Sequence, residues 1–138
     1  MADIKTKLTG KSVDAFLGSI KDEEKRRDSR VIAKLMQQAT KSRPKMLGSS
    51  IVAFGTKTIT YADGRESPWI LIGFSPRKAN LTLYVGKRFD GRDALLKALG
   101  KHSTGGGCLY IKRLTDVHLP TLKKIVSASA KQAKKRES

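Results

Sequence analysis

Cysteine occurs once in the 138-residue chain, at Cys108. An intramolecular disulfide is therefore impossible, and so is a structural zinc site built from several thiolates. No apolar run approaches the roughly 20 residues a membrane helix needs, and the opening MADIKTKLTG lacks the apolar stretch of a secretory leader. A cytoplasmic protein with no membrane partner is expected. Histidine occurs twice, at His102 and His118, and the spacing of these two residues and Cys108 matches no zinc pattern. Aromatic residues make up only 6 % of the chain, with Tyr61, Trp69, Tyr84 and Tyr110 as the candidate stacking surfaces. Weak, non-specific nucleic-acid binding at low salt is expected of such a chain, without sequence reading.

Negative charge is short relative to positive: 12 Asp and Glu stand against 29 Lys and Arg, a formal net charge of +17. Such a surface draws in polyanions and speeds their encounter. The excess is not confined to the ends, because the stretch from Lys41 to Lys101 alone carries twelve basic residues and four acidic ones.

Ser12 is a good helix cap, and Val13, Phe16, Leu17 and Ile20 follow at helical spacing. Asp22 caps a second expected helix reaching about Ala39, with Asp22, Glu23 and Glu24 at the positive end of its dipole. Pro44 is expected to end it. From Ile51 the texture becomes β-branched and aromatic: IVAF, TKTITYA, the turn signal Asp63-Gly64, PWILIGF and NLTLYV predict three or four antiparallel strands, with Gly55 a turn or bulge between the first two. Asp90 to Leu99 is the next helix, with Asp90 as its cap and Gly100 as its stop. The glycine-rich KHSTGGG leads into the strand CLYIK, and a last helix starts near Pro120. The order αα, three or four strands, α, β, α reads as an α+β fold, helices packed on one antiparallel sheet. Residues 12–130 form the expected domain, between a flexible N-terminus over 1–11 and a basic, disordered tail over 131–138.

Several segments together resemble the YdhG-like family, a domain of unknown function: VDAFL, PKMLG with the following Phe54-Gly55, GFSPRKANLTLY, LLKALGKH and GGGCLYIKRLTDV. The resemblance covers most of the chain in order. It implies a compact α+β domain and no established chemistry, and an association of some members with frataxin-like iron handling implies an iron-binding chaperone as an alternative. The chain departs from the family at Leu47, where tryptophan is frequent, and at Gly106, where the glycine loop often holds a lysine.

The candidate ligand-binding set is Lys45, Ser75, Arg77, Lys78, Tyr84, Lys101, Gly105, Gly106, Gly107, Tyr110 and Lys112. Arginine offers a rigid fork of donors to a carboxylate or phosphate, lysine adds point charge, and glycine lets backbone N–H groups approach an anion. These residues point to a non-catalytic module with a basic pocket for a small anionic ligand, without cofactor or metal. Asp22, Glu23, Glu24 and Asp28 form the only acidic cluster in the sequence, the place where an iron chaperone would offer carboxylates, and helix capping and intrahelical pairing account for it as well. Cys108 with His102 could form a nucleophile and base, and a small core thiol is the competing reading. Ser75 lies in no nucleophile elbow.

Overall fold

The computed structural model describes residues 8–9, 12–48 and 50–135. Four helices and a seven-stranded antiparallel sheet build an α+β fold. In chain order these are β1 (Leu8–Thr9), α1 (Val13–Gly18), α2 (Glu23–Thr40), β2 (Pro44–Leu47), β3 (Ile51–Thr60), β4 (Glu66–Pro76), β5 (Leu81–Tyr84), α3 (Arg92–Leu99), β6 (Ser103–Gly105), β7 (Cys108–Ile111) and α4 (Leu119–Lys135). The strands lie in the order β1-β2-β3-β4-β5-β7-β6.

Local chemistry starts the first two helices where the sequence places them. Ser12 accepts a hydrogen bond from Ala15 N at 3.1 Å, and Asp22 accepts one from Lys25 N at 3.0 Å. Each side chain satisfies one of the backbone donors left over at a helix start. The second helix ends at Thr40, with Lys41 in the left-handed region at φ 55°, and Pro44 opens β2 instead of stopping the helix. In α3 the cap is Gly91, also left-handed, and Asp90 makes no capping bond.

More strands form than the sequence suggests. PKML and STG are too short and too poor in β-branched residues to announce β2 and β6, yet both pair with neighbours. Gly55 neither turns the chain nor adds a residue. It lies inside one ten-residue strand, where Phe54 pairs with Ile72 and Thr56 with Ile70, so the register runs through it unbroken. Its φ of +74° and the missing Cβ make room for Leu71, whose Cδ1 would lie 2.5 Å from an added methyl. Leu8–Thr9, inside the segment expected to be flexible, pair with β2, and residues 1–7, 10 and 11 lie outside the described part. At the other end α4 continues through Lys135 and buries Ala133, so residues 131–135 extend the helix that the expected tail was to follow; residues 136–138 are outside the described part.

All the helices use one face of the sheet. Ile32 and Met36 from α2, and Leu122, Ile125 and Val126 from α4, share a core with Met46, Val52, Phe54, Ile72, Phe74, Leu81, Leu83, Leu109 and Ile111. Burying each such side chain contributes about 1.5–3 kcal/mol, so this layer dominates stability. Polar bonds fix its registration. The Ser129 hydroxyl donates to the Val85 carbonyl, and Asp28 of α2 accepts from Leu114 N at 3.1 Å. A second, smaller apolar cluster of Leu47, Ala53 and Ile70 lies on the opposite face. Ile70 belongs to that face while Ile72 belongs to the core, so the alternation of β4 breaks at Leu71, opposite Gly55.

Two consequences can be measured. Gly100 has φ 113° and ψ −150°, and an added Cβ would lie 2.6 Å from the Asp116 carbonyl oxygen. Gly100→Ala is expected to lower stability in urea unfolding by at least the ~1–3 kcal/mol of backbone strain, and a loss under about 0.5 kcal/mol would show that this junction relaxes freely. The Asp22 carboxyl is held below its ordinary value, chiefly by the Lys25 backbone N–H that it caps. A carboxyl whose folded pKa is depressed contributes stability above its unfolded pKa and loses it as pH falls through the folded one. Asp22→Ala should therefore lower Tm at pH 7, with the difference from the parent shrinking below pH of about 3.9. A difference constant down to pH 2 would refute the assignment.

Candidate functional site

The face of the sheet turned away from the helices carries the candidate side chains, and the strand register fixes their order. Lys45 pairs with Ala53, Ala53 with Gly73, Gly73 with Tyr84, Tyr84 with Cys108, and Cys108 with Gly105. These six residues form one row across six strands. Alongside it Ser75 pairs with Thr82, Thr82 with Tyr110, and Tyr110 with Ser103. The period-two pleat thus sets two phenols and a thiol on one patch.

Arg77 reaches this patch from the turn between β4 and β5. Its backbone N–H donates to Asn80 O at 2.8 Å, closing the turn. The ammonium of Lys25, in the first turns of α2, donates to the carbonyls of Arg77 at 2.6 Å and Lys78 at 3.0 Å. The Arg77 guanidinium then donates through Nη2 to Tyr84 Oη at 3.0 Å. Backbone and side chain are both anchored. None of the four ion pairs among the described residues involves Arg77, so its charge meets no carboxylate there.

Tyr110 completes the group. Its ring lies against Gly105, where an added Cβ would approach the ring edge and hydroxyl at 3.2 Å. A neighbouring Cys108 holds the Tyr110 phenol above its ordinary pKa, with desolvation and Tyr84 acting in the same direction and Arg77 opposing them. At neutral pH the phenol keeps its proton and can donate a hydrogen bond. A guanidinium, two phenols and a thiol on an open face make a donor-rich surface suited to an oxyanion.

The remaining candidates differ in their relation to this patch. Ser75 is buried at 1 % exposure and its hydroxyl donates to Ser50 O at 2.7 Å, so it holds the entry to β3 and is not offered to a ligand. Lys78, Lys101 and Lys112 are exposed, and no hydrogen bond among the described residues joins them to Arg77. Lys112 follows Ile111, the partner of Leu81, and so stands at the same sheet end as the Arg77 turn. The backbone N–H of Lys101 is tied to Asp116 O at 3.1 Å. Gly106 and Gly107 form the turn between β6 and β7 at the opposite end, where Gly107 O accepts from Val85 N at 3.1 Å and Gly86 N at 3.0 Å. With β5 four residues long, that turn stands about 13 Å along the strand from the Arg77 backbone, at ~3.3 Å per residue, and adjoins Gly105, Cys108 and Tyr84 at the end that the Arg77 guanidinium reaches. Gly106 takes φ 58°. Lys45 stands three strands from Tyr84 in the row, about 14 Å at ~4.8 Å per strand, with Ala53 and Gly73 between them. Leu47 is buried in the small apolar cluster.

The competing chemistries find little support in the geometry. His102 Nδ1 is bonded to Gly100 O at 2.8 Å, and His102 precedes the Ser103–Tyr110 pair, three residues along β6 from the Gly105 that faces Cys108. The thiol and the imidazole are thus not joined. In the acidic group, Asp22 caps α2, Asp28 is buried on Leu114 N, and Glu24 lies 3.5 Å from Arg113. Among the described residues no three His, Cys, Asp or Glu side chains are grouped to hold a metal ion. Nor is any helix there long and apolar enough to cross a membrane. Tyr61 is covered by Arg65, whose guanidinium carbon lies 5.2 Å from the ring centre, and Trp69 is 39 % exposed on the β3–β4 hairpin, remote from the phenols. Cys108 is absent from the candidate set that the sequence suggests; its alternation with Tyr110 in CLYI is the signal that places it on the patch. No protein-family model, curated protein or solved structure matches the chain.

Proposed function

We propose that the chain is a YdhG-like, non-catalytic module of the cytoplasm that binds a small anionic ligand on the open face of its sheet. The ligand is an oxyanion, gripped by Arg77 and receiving hydrogen bonds from the Tyr84 and Tyr110 hydroxyls. The observation that carries this reading is the anchoring of Arg77: its guanidinium is positioned by Tyr84 at 3.0 Å, its backbone is tied to Asn80 and Lys25, and no carboxylate among the described residues neutralises it. A charge held in place loses little entropy on binding. The net charge of +17 supplies long-range attraction, and the anchored fork supplies selectivity.

Salt separates such a site from a merely sticky surface. Diffuse polyanion binding falls by about 10³ to 10⁵ between 50 and 200 mM salt when six to ten phosphates are contacted, whereas a few convergent contacts lose far less. Titration with inorganic phosphate and pyrophosphate, followed by NMR at 150 mM salt, is expected to shift the Tyr84 and Tyr110 resonances. Hydrogen bonds to charged groups contribute about 1.5–3 kcal/mol, so Arg77→Ala should weaken binding roughly ten- to a hundredfold. Arg77→Lys should recover little, because it restores charge without the fork. Unchanged affinity in Arg77→Ala, or binding that vanishes by 200 mM salt, would overturn the site.

A further inference from the structure

On the open face β3 presents Ala53 and then Gly55, two residues with almost no side chain in succession. Every other residue of a strand normally fills about 6.6 Å of a sheet face, at ~3.3 Å per residue, so this pair leaves a trough. The walls are made by other elements. Arg43 and Lys45, from the α2–β2 connection and β2, stand on one side, and Leu71 of β4 leans over Gly55 on the other. Ser42 and Thr56 add hydroxyls at the rim. The result is a cleft of about 380 Å³ with an apolar floor and a cationic lip. Small-molecule sites have this division: an apolar body of some 300–1,000 Å³ with a few polar groups placed to fix orientation.

Neither Arg43 nor Lys45 takes part in an ion pair among the described residues. A second, more open hollow, lined by Lys34 and Lys41 of the α2 end, adjoins the cleft and shares Ser42 and Arg43 with it. The field over the cleft is therefore positive from two sides. The strand row leads from Lys45 through Ala53 and Gly73 to Tyr84, and the Ile70 side chain closes over Gly73. The cleft is thus separate from the Arg77 patch.

We infer that this cleft is a second ligand site, for a small amphipathic anion: a phosphate monoester or carboxylate that rests an apolar group on Ala53, Gly55 and Leu71 while Arg43 and Lys45 hold its charge. The inference is independent of the Arg77 reading, because no residue is shared. It also differs from diffuse attraction, because it requires both halves of the ligand.

The test uses the full chain, ¹⁵N-labelled, at physiological salt, with phenyl phosphate, benzoate, inorganic phosphate and phenol as separate probes. Phenyl phosphate or benzoate should shift the amides of Ala53, Gly55, Thr56 and Leu71, and whichever binds more tightly identifies the head group. Phenol and inorganic phosphate should each bind at least about tenfold more weakly, since each lacks one half of what the site recognises. Arg43→Ala combined with Lys45→Ala replaces exposed side chains, and should weaken binding roughly tenfold or more through loss of charge-assisted contacts. Arg77→Ala should leave it unchanged, which keeps failure of this site distinct from failure of the other. Shifts around Tyr84 report the Arg77 patch and are read separately; the inference is overturned if, at the Ala53, Gly55, Thr56 and Leu71 amides, inorganic phosphate binds as well as phenyl phosphate, if the double variant binds normally there, or if no probe shifts these amides.

Discussion

Ile32 and Met36 of α2, with Leu122, Ile125 and Val126 of α4, are buried against a single face of the sheet, and that one-sided packing governs the molecule. A sheet face that accepts two long amphipathic helices takes up most of the large aliphatic residues the chain possesses. What is left for the other face is a small apolar cluster around Leu47 and Ile70 beside small or polar residues: Ala53, Gly73, Thr82, Cys108 and two tyrosines. The surplus of cations cannot enter the core, because an unpaired buried charge is too costly. It collects on the rims of the open face and on the helix exteriors. Core formation and site formation are thus the same partition of residues seen from two sides.

Helices and their starts are the most legible part of such a chain. Caps act over three residues, so Ser12 and Asp22 can be read directly, and the spacing of Leu122, Ile125 and Val126 marks the buried stripe of α4. The long strand PWILIGF and the alternation in NLTLY and CLYI are also visible, and with them the fact that Tyr84, Cys108 and Tyr110 share a surface. Short strands are different. PKML and STG become strands only because β3 and β7 lie ready to pair with them, a condition set by residues far away in sequence. Gly55 misleads for a related reason: its lack of a side chain serves Leu71 on the next strand and not a turn of its own backbone.

The site shows the same boundary between local and distant information. That Arg77 belongs to a special turn can be suspected from GFSPRK, but its fixing by Lys25, 52 residues away, cannot. Lys45 and the Gly106-Gly107 turn group with it in the sequence because all are basic or flexible. The register carries Lys45 three strands aside and sets the glycine turn beside Tyr84 and Cys108, at the end of β5 away from the Arg77 backbone. Composition says that anions will be attracted, and only strand order says where each donor stands.

The two outermost strands are only two and three residues long, Leu8–Thr9 and Ser103–Gly105. An antiparallel sheet ends in unpaired N–H and C=O groups that can recruit a strand from another molecule, and a bare second face would help such stacking to spread. A border of three residues offers a template for few inter-molecular bonds, and repulsion between copies carrying +17 each opposes their approach. The chain can leave one side of its sheet uncovered because its borders give self-association so little to grow from.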